Sequence, residues 1–349
     1  MKKVLILLAL FTFIISCSED KSSNAEILEI SVNSFSNSDL IFENTFVDTE
    51  NNKVYLFINN NLNDFTFPIS INANVKLSPG AKTKSLSSDE ISFSKADEVK
   101  LLEVEAEDGS LKNWYVYLVH QQIQNSDFED WFDNQGMNSK IYKEIGASSI
   151  SSVWATANMG TSIYDVHCTQ PIMDGTNTMV EIVTGETTSL PITTGTIFTG
   201  LFNVAGAISN PTDPEKATVF GTPFIFRPKG FKFKFKYQAG ERYIQATLNN
   251  PSNIFGGFSV TDISGEDQCS IYAYLEIRDG DQITEIARVK MESGTTVNSL
   301  TETELIFPYN SNLNPTHLTI VFSSSTGGAE WRGAVGSTLV IDDLELIYE

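Results

Sequence analysis

The chain has 349 residues, with 44 acidic side chains against 23 basic ones and a formal net charge of −21; that length suits two domains. So acidic a surface repels nucleic acid phosphates, and no basic cluster overrides it, which excludes nucleic acid as a partner. The same surface serves solubility and can attract calcium.

The chain opens MKKVLILLALFTFIISCSED. Lys2 and Lys3 form a positive start, and Val4 to Ile15 form an apolar stretch too short for a comfortable membrane span, the pattern of an export signal. Ser16 and Cys17, after Ile14 and Ile15, resemble the bacterial lipobox, whose cysteine is diacylated and becomes the first residue of the mature chain. The resemblance implies lipidation of Cys17, a signal peptide over 1–17 and a polar tether over 18–25. The alternative is a plain signal peptide with an incidental cysteine. CSED also resembles the surface-export signal of Bacteroidetes lipoproteins. It implies a place on the outer leaflet of the outer membrane, with the lipid anchor as the only membrane contact.

Beyond the tether, helical periodicity is nearly absent. Short runs rich in Val, Ile, Phe, Tyr and Thr are broken by Asn, Gly, Asp and Ser, an all-β pattern. Residues 26–120 carry ILEISVN, SDLIFEN, KVYLFIN, FPISINANV, EVKLLEVEA and NWYVYLV, the last two joined by a hairpin turn at Asp108-Gly109. Alternation in VYLFIN and WYVYLV sends one set of side chains inward and the other outward, and about seven short strands in roughly 100 residues fit an Ig-like sandwich. VKLSPGAK and ISFSKADEVKLLEVEAEDGSLKNWYVYLV resemble the small Ig-like domain that follows the tether in Bacteroidetes surface lipoproteins, where it acts as a spacer. Trp114 belongs to its core.

HQQIQN is the linker, and larger strands follow over 125–349. In FRPKGFKFKFKYQAG, Phe231, Phe233 and Phe235 alternate with Lys232, Lys234 and Lys236 at strict period two. The phenylalanines face a core; the lysines face solvent or a groove for an acidic glycan. CSIYAYLEIRDGDQITEIARVKM is a second hairpin, turned at Asp279-Gly280. LTETELIFPY, THLTIVFSSS and STLVIDDLELIYE bring the count to roughly eight strands or more, and with no helices to cover them they argue for a two-sheet jelly roll. Cys168 and Cys269 each lie beside an apolar run, which leaves open both a disulfide and two buried thiols.

This second region begins NSDFEDWF and ends STLVIDDLELIYE. In a jelly roll the first and last strands lie together, so Asp127, Glu129 and Asp130 approach Asp342 and Asp343. Carboxylates gathered in this way repel unless a cation sits among them. A structural calcium is one solution; exposed acids or strand caps without metal are the other. The pairing of an opening D-F-E-x-W with a closing I-D-D-L-x-L resembles carbohydrate-binding-module jelly rolls. By that resemblance Glu129 and Asp342 hold the calcium. Phe128 and Trp131 seal the core near the boundary.

Over 125–349 as a whole, NSDFEDWFD, VWATANMG, FGTPFIFRPKGFKFKFKYQAG, GEDQCSIYAYL, EIARVKMESG and IVFSSSTGGAEWRGAVGSTLVIDDLELIY follow in order. They resemble the Bacteroidetes family called the putative carbohydrate metabolism domain. The resemblance implies a jelly roll on an exported lipoprotein, behind an Ig-like domain, with a connection to carbohydrate.

Catalytic motifs are scarce. His120, His167 and His317 stand apart in sequence, and there is no H-E-x-x-H, G-x-S-x-G or C-x-x-C. Glycoside hydrolysis needs only two carboxylates. Glu266 and Asp267, before an apolar strand, are the best placed, but neighbours on a strand point to opposite faces, so they do not form an acid–base pair. Binding fits better. A sugar face calls for an exposed aromatic beside polar groups, and two stretches offer one. Trp331 is flanked by Glu330 and Arg332 in a Gly- and Ser-rich loop, and Trp154 has Asn158 nearby; the competing reading puts both tryptophans in the core or over its edge. Arg227 lies amid apolar residues and calls for an acidic partner or a ligand. The glycines of STGGAEWRGAVG lack the Gly-Lys-Ser/Thr of a phosphate loop and permit tight turns. The expectation is a surface lipoprotein with an Ig-like domain and a jelly roll that binds a carbohydrate without cleaving it. The alternatives are a glycoside hydrolase with a carboxylate pair and an adhesion lipoprotein.

Overall fold

The computed structural model describes residues 21–85, 90–210, 213–250, 253 and 256–348; the signal peptide with Cys17 and the tether residues 18–20 lie outside the described residues. The first region carries β1 (Ile27–Phe35), β2 (Phe42–Asp48), β3 (Lys53–Ile58), β4 (Ile69–Leu77), β5 (Lys82–Thr83), β6 (Glu90–Phe93), β7 (Lys100–Glu105) and β8 (Leu111–Val119). One sheet has the order β1-β4-β6 and the other β2-β3-β8-β7-β5, with β3 and β8 parallel. Val54, Leu56 and Ile58 of β3 share a buried core with Trp114, Val116 and Leu118 of β8. Trp114 is the expected core tryptophan, and its indole N–H donates to the Ala25 carbonyl at 3.0 Å.

The other faces of β3 and β8 are buried as well. Tyr55, Phe57 and Tyr117, the alternate residues, are 7%, 2% and 3% exposed and belong to the core of the second region. Phe57 meets Phe226 edge-on, ring centroids 6.4 Å apart, and the Tyr117 hydroxyl donates to the Ile150 carbonyl at 2.7 Å. Burial on both faces is why VYLFI and YVYLV read as nearly unbroken apolar runs. HQQIQN is accordingly a wedge and not a free linker. His120 is buried, and its Nδ1 accepts from the Leu62 and Gln122 amides, both at 3.3 Å. The Gln122 side chain pairs with the Leu346 backbone in both directions, at 2.8 and 2.9 Å.

The second region carries β9 (Trp131–Gln135), β10 (Ile141–Ile145), β11 (Trp154–Thr156), β12 (Thr169–Asp174), β13 (Asn177–Val183), β14 (Thr196–Phe202), β15 (Thr218–Phe220), β16 (Thr222–Pro223) and β17 (Gly230–Gln238). It continues with β18 (Tyr243–Leu248), β19 (Phe258–Asp262), β20 (Cys269–Asp279), β21 (Gln282–Ser293), β22 (Val297–Ile306), β23 (His317–Ser323), β24 (Arg332–Ala334) and β25 (Thr338–Ile347). Two large sheets, β11-β14-β23-β20-β21 and β12-β13-β25-β17-β22, form the expected sandwich; β15 and β16 extend the first, and β19-β18-β24 make a small third sheet. Phe231, Phe233 and Phe235 point inward, and Phe233 meets Phe322 of the facing sheet with ring centroids 5.4 Å apart. Lys232 and Lys234 point out to Glu345 at 2.8 Å and Asp343 at 2.6 Å. That face is solvated and charge-balanced, not a basic groove.

The closing strand β25 lies centrally, between β13 and β17. NSDFEDW is an irregular approach to it, with Asn125 and Phe128 at φ of 48° and 58°. The two ends do meet: the Leu344 amide donates to the Ser126 carbonyl at 2.9 Å. Phe128 is fully buried, and the Trp131 indole donates to its carbonyl at 2.8 Å, so the pair seals the boundary as expected. Cys168 and Cys269 are free, buried thiols.

Because one apolar core crosses from the first region into the second, the two should melt together. Calorimetry is expected to give a single transition, and Phe57→Ala to lower stability by about 3–5 kcal/mol, as for a fully buried phenylalanine. Two well-separated transitions would contradict the continuous core.

Candidate functional site

The predicted aromatic sites come out differently from one another. Trp154 is 3% exposed, with its indole N–H on the Gln124 carbonyl at 2.8 Å and its ring against Phe128 at 5.5 Å. Asn158 is wholly buried; its amide donates to the Thr169 carbonyl at 2.6 Å, and its Oδ1 accepts from the Thr169 amide at 3.0 Å. Both are structural: the Trp154 ring is spent on Phe128 and its N–H on Gln124, and the Asn158 side chain on the Thr169 backbone. Trp331 is half-buried, beside the small third sheet, with its ring against Phe258 at 5.1 Å. Glu330 next to it is exposed, and its carbonyl accepts from the Gln245 amide at 2.6 Å. Arg332 is half-buried, its Nε buried without a hydrogen-bond partner.

Glu129 and Asp342 are brought to the same turn, but not as a cation cage. Both Glu129 oxygens accept from the Thr178 amide, at 3.1 and 3.2 Å. Asp342 accepts from the Asn177 side chain at 2.8 Å and from the Asp343 amide at 2.9 Å. N–H donors therefore engage both carboxylates, whereas calcium takes 6–8 oxygen ligands. Among the described residues no three His, Cys, Asp or Glu side chains gather to hold a metal. The residues do not fit the calcium; amide donors pin the chain ends.

Glu266 is exposed and Asp267 wholly buried, in the irregular approach to β20 and not on a strand, so the two do not form an acid–base pair. Asp267 accepts from the Ala334 amide at 2.8 Å, from the Ser337 hydroxyl at 2.7 Å, from the Gln268 amide at 2.9 Å and from the Ser325 hydroxyl. It is a structural knot. Among the described residues Arg227 donates to the Ser311 and Leu313 carbonyls, not to a carboxylate, and stacks on Tyr309 at 4.1 Å. Carbonyl dipoles and a ring face replace the expected ion pair.

Sequence alone does not mark one further surface that gathers aromatic and charged side chains: the outer face of β20 and its neighbours. Cys269, Ile271, Ala273 and Leu275 of β20 point into the core at 0% exposure. Ser270, Tyr272, Tyr274, Glu276 and Arg278 therefore point outward. Register builds rows across the sheet. Thr196, Ser323, Ser270 and Glu292 form one; Phe198, Val321, Tyr272 and Lys290 the next; Thr319, Tyr274 and Arg288 a third; His317, Glu276 and Glu285 a fourth. The half-buried rings of Tyr272 and Tyr274 lie parallel within 9°, centroids 6.4 Å apart. The Arg288 guanidinium lies 4.1 Å from the Tyr274 ring centre. A register shift at Leu275/Glu276 puts two buried β21 residues, Ile286 and Ala287, side by side. That bulge leaves Glu285 and Arg288 on one face, Arg288 Nε 2.7 Å from Glu285.

At the lower end Glu276 is 6% exposed and held by Arg278, whose Nε donates to it at 2.6 Å and whose terminal nitrogen donates to the Phe220 carbonyl at 2.6 Å. Gly221, at φ +92°, makes room for this: a Cβ there would lie 2.6 Å from the guanidinium. Burial, and then the Arg278 charge, pull His317 down to about 4, so the ring is neutral at neutral pH. Towards β14 the face is covered: Tyr272 packs against the small cluster of Phe198, Val321 and Phe220, and Thr319 and Ser270 are buried. Towards β21 it offers the half-buried tyrosine rings beside paired charges, which suits a ligand with apolar faces and many hydroxyls. The sequence signal is partial: Y-A-Y-L-E-I-R puts every chemistry-bearing residue on one parity.

One more ionisable group lies outside this face. Glu144 on β10 is 8% exposed, with one oxygen 3.2 Å from the Thr156 hydroxyl and the other buried without a partner. Burial pushes its carboxyl up to about 7.

A family model described as a putative carbohydrate metabolism domain matches residues 127–347. A crystal structure described as a putative glycoside hydrolase from Bacteroides thetaiotaomicron VPI-5482 is 24% identical, with a TM-score of 0.54 over 95% of this chain and 98% of its own. Another, described as a putative glycoside hydrolase from Bacteroides vulgatus ATCC 8482, is also 24% identical, with a TM-score of 0.52 over 64% of this chain and 97% of its own. At that identity the likeness shows the fold. No curated protein matches the chain.

Glu144 gives a signed pH prediction. Its folded value of about 7 lies above the ordinary 4.5, so the folded state holds the extra proton between those values and stability falls as pH rises through them. Urea titrations of Glu144→Gln and the parent are expected to diverge from about pH 5 to about pH 8, the variant gaining on the order of 3 kcal/mol relative to the parent at the upper end. Parallel curves would show that Glu144 titrates normally.

Proposed function

The chain belongs to the putative carbohydrate metabolism domain family, and on that footing we propose that it binds a carbohydrate on the outer face of β20 and β21. The observation that carries the reading is the pair of parallel, half-buried tyrosines, Tyr272 and Tyr274, standing on one strand beside the ion pairs of β20 and β21. Aromatic carbon packs against sugar C–H faces, while carboxylates and cations bond the hydroxyls. Binding without cleavage is favoured by the state of the carboxylates: Glu276, Glu285 and Glu292 are each engaged by a neighbouring cation. A hydrolase needs one carboxyl free to give a proton and a second free to attack or to activate water.

Trp331 with Arg332 and Glu330 is a second, smaller platform on the third sheet, and the same ligand could be tested there. The cellular part of the proposal rests on the lipobox-like residues Ile14, Ile15, Ser16 and Cys17. A lipid on Cys17 holds the protein to the outer membrane, with the glycan face turned outward for capture or uptake.

Tyr274→Ala is expected to weaken glycan retention in affinity electrophoresis roughly tenfold or more, the loss typical of a central aromatic contact, with the circular dichroism spectrum unchanged. Loss in Trp331→Ala, with Tyr274→Ala silent, would move the site to the third sheet. Separately, Cys17→Ala is expected to shift the chain from the membrane fraction to the soluble fraction. An unchanged membrane fraction would remove the lipid anchor.

A further inference from the structure

The cations described on the outer face of β20 and β21 each have a carboxylate partner on that face. Arg278 lies on Glu276 at 2.6 Å, Arg288 on Glu285 at 2.7 Å, and Lys290 on Glu292. Resting on the glycan-binding reading above, we infer that this face selects neutral glycans and rejects those bearing uronate or sulfate.

An anionic sugar would have to take a cation from its carboxylate. At Arg278 the exchange is least favourable. Glu276 is 6% exposed, and stripping its partner would leave a buried charge uncompensated. The guanidinium is also tied to the Phe220 carbonyl at 2.6 Å, in space that only Gly221 leaves open. At Arg288 and Lys290 the pairs are exposed and weak, but the released carboxylates would stay beside the anion and repel it. The whole chain adds to this with its net charge of −21.

A neutral hydroxyl meets no such conflict. It donates and accepts at once, so it can bridge the two members of an ion pair without separating them. Carboxylates keep unfilled acceptor sites, and ammonium and guanidinium groups keep free donors, after one partner is bound. The tyrosines, 6.4 Å apart along one strand, supply the apolar contact for sugars lying along β20.

The test uses the full chain with four polymers: a neutral β-glucan, a neutral mannan, polygalacturonate and chondroitin sulfate. Retention is measured at roughly 0.1 M and roughly 1 M salt, where the screening length falls from about 10 Å to about 3 Å. The expected result is retention of a neutral polymer, changing less than about twofold between the two salt levels, since no net charge is matched. Glu285→Gln with Glu292→Gln unpairs Arg288 and Lys290 on the surface. This double variant is expected to gain up to about fivefold in polygalacturonate retention at the lower salt and to lose the gain at the higher, the scale of exposed ion pairs. Strong, salt-sensitive retention of polygalacturonate or chondroitin sulfate by the parent, sensitive to Tyr274→Ala, would overturn the charge argument and leave the site standing. Neutral binding indifferent to Tyr274→Ala, or no retention of any polymer by the folded chain, would overturn the site and this inference with it.

Discussion

What stands on the outer face of β20 is decided by what it buries on the inner one. Cys269, Ile271, Ala273 and Leu275 fill the space between the two large sheets at 0% exposure. A slip of one residue would drive Tyr272, Tyr274 and Glu276 into that core, so the register is held by the full cost of burying them. The strand's start is fixed by a different force. Asp267 draws the Ser325 and Ser337 hydroxyls and the Ala334 amide onto a single carboxylate oxygen. That knot ties β20 to the loop before β24 and to the start of β25. The tyrosine pair, the bulge that aligns Glu285 with Arg288, and the small third sheet all inherit their places from these two constraints.

The first region adds a constraint from outside. Tyr55, Phe57 and Tyr117 insert into the second core, while Gln122 pairs with Leu346 as a strand would. A separable Ig-like spacer would show one apolar parity on β3 and β8. These strands show two, and the second parity belongs to the seam.

Much of the fold was legible. Strict period two in FKFKFKY gave the inward phenylalanines and outward lysines of β17, and Trp114, Phe128 and Trp131 sit where their neighbours implied. The site was less legible, for physical reasons. Trp154 and Trp331 drew attention as rare, large rings, but composition does not say which face of a chain is covered later by other elements. Trp154 lies against Phe128 and the Gln124 carbonyl, some 26–30 residues earlier in the chain, and only long-range packing reveals that. The acids at the two ends allow either a cation among them or carboxylates that cap strand ends without metal, and the sequence does not choose between the two. The Asn177 side chain and the Thr178 amide reach them first, and no local pattern encodes a donor from a turn some 50 residues away from Glu129. Tyr272 and Tyr274 of β20 do not stand out in the sequence, because alternation tells which residues share a face but not what lies beside them. The polar half becomes meaningful only when β21 and β23 set Arg288, Lys290 and Thr319 beside it.

The seam between the two regions also fixes a direction. A loose spacer would act as a ball joint, letting the tyrosine face point anywhere relative to the chain's start. Here the wedge at His120 and Gln122 welds the two bodies, and Trp114 clamps Ala25 at the first strand. On the proposed anchoring at Cys17, the first strand and the proposed glycan face would travel together as one body, and lengthening the chain ahead of Ala25 would change how far that face reaches without altering how it is aimed from its base.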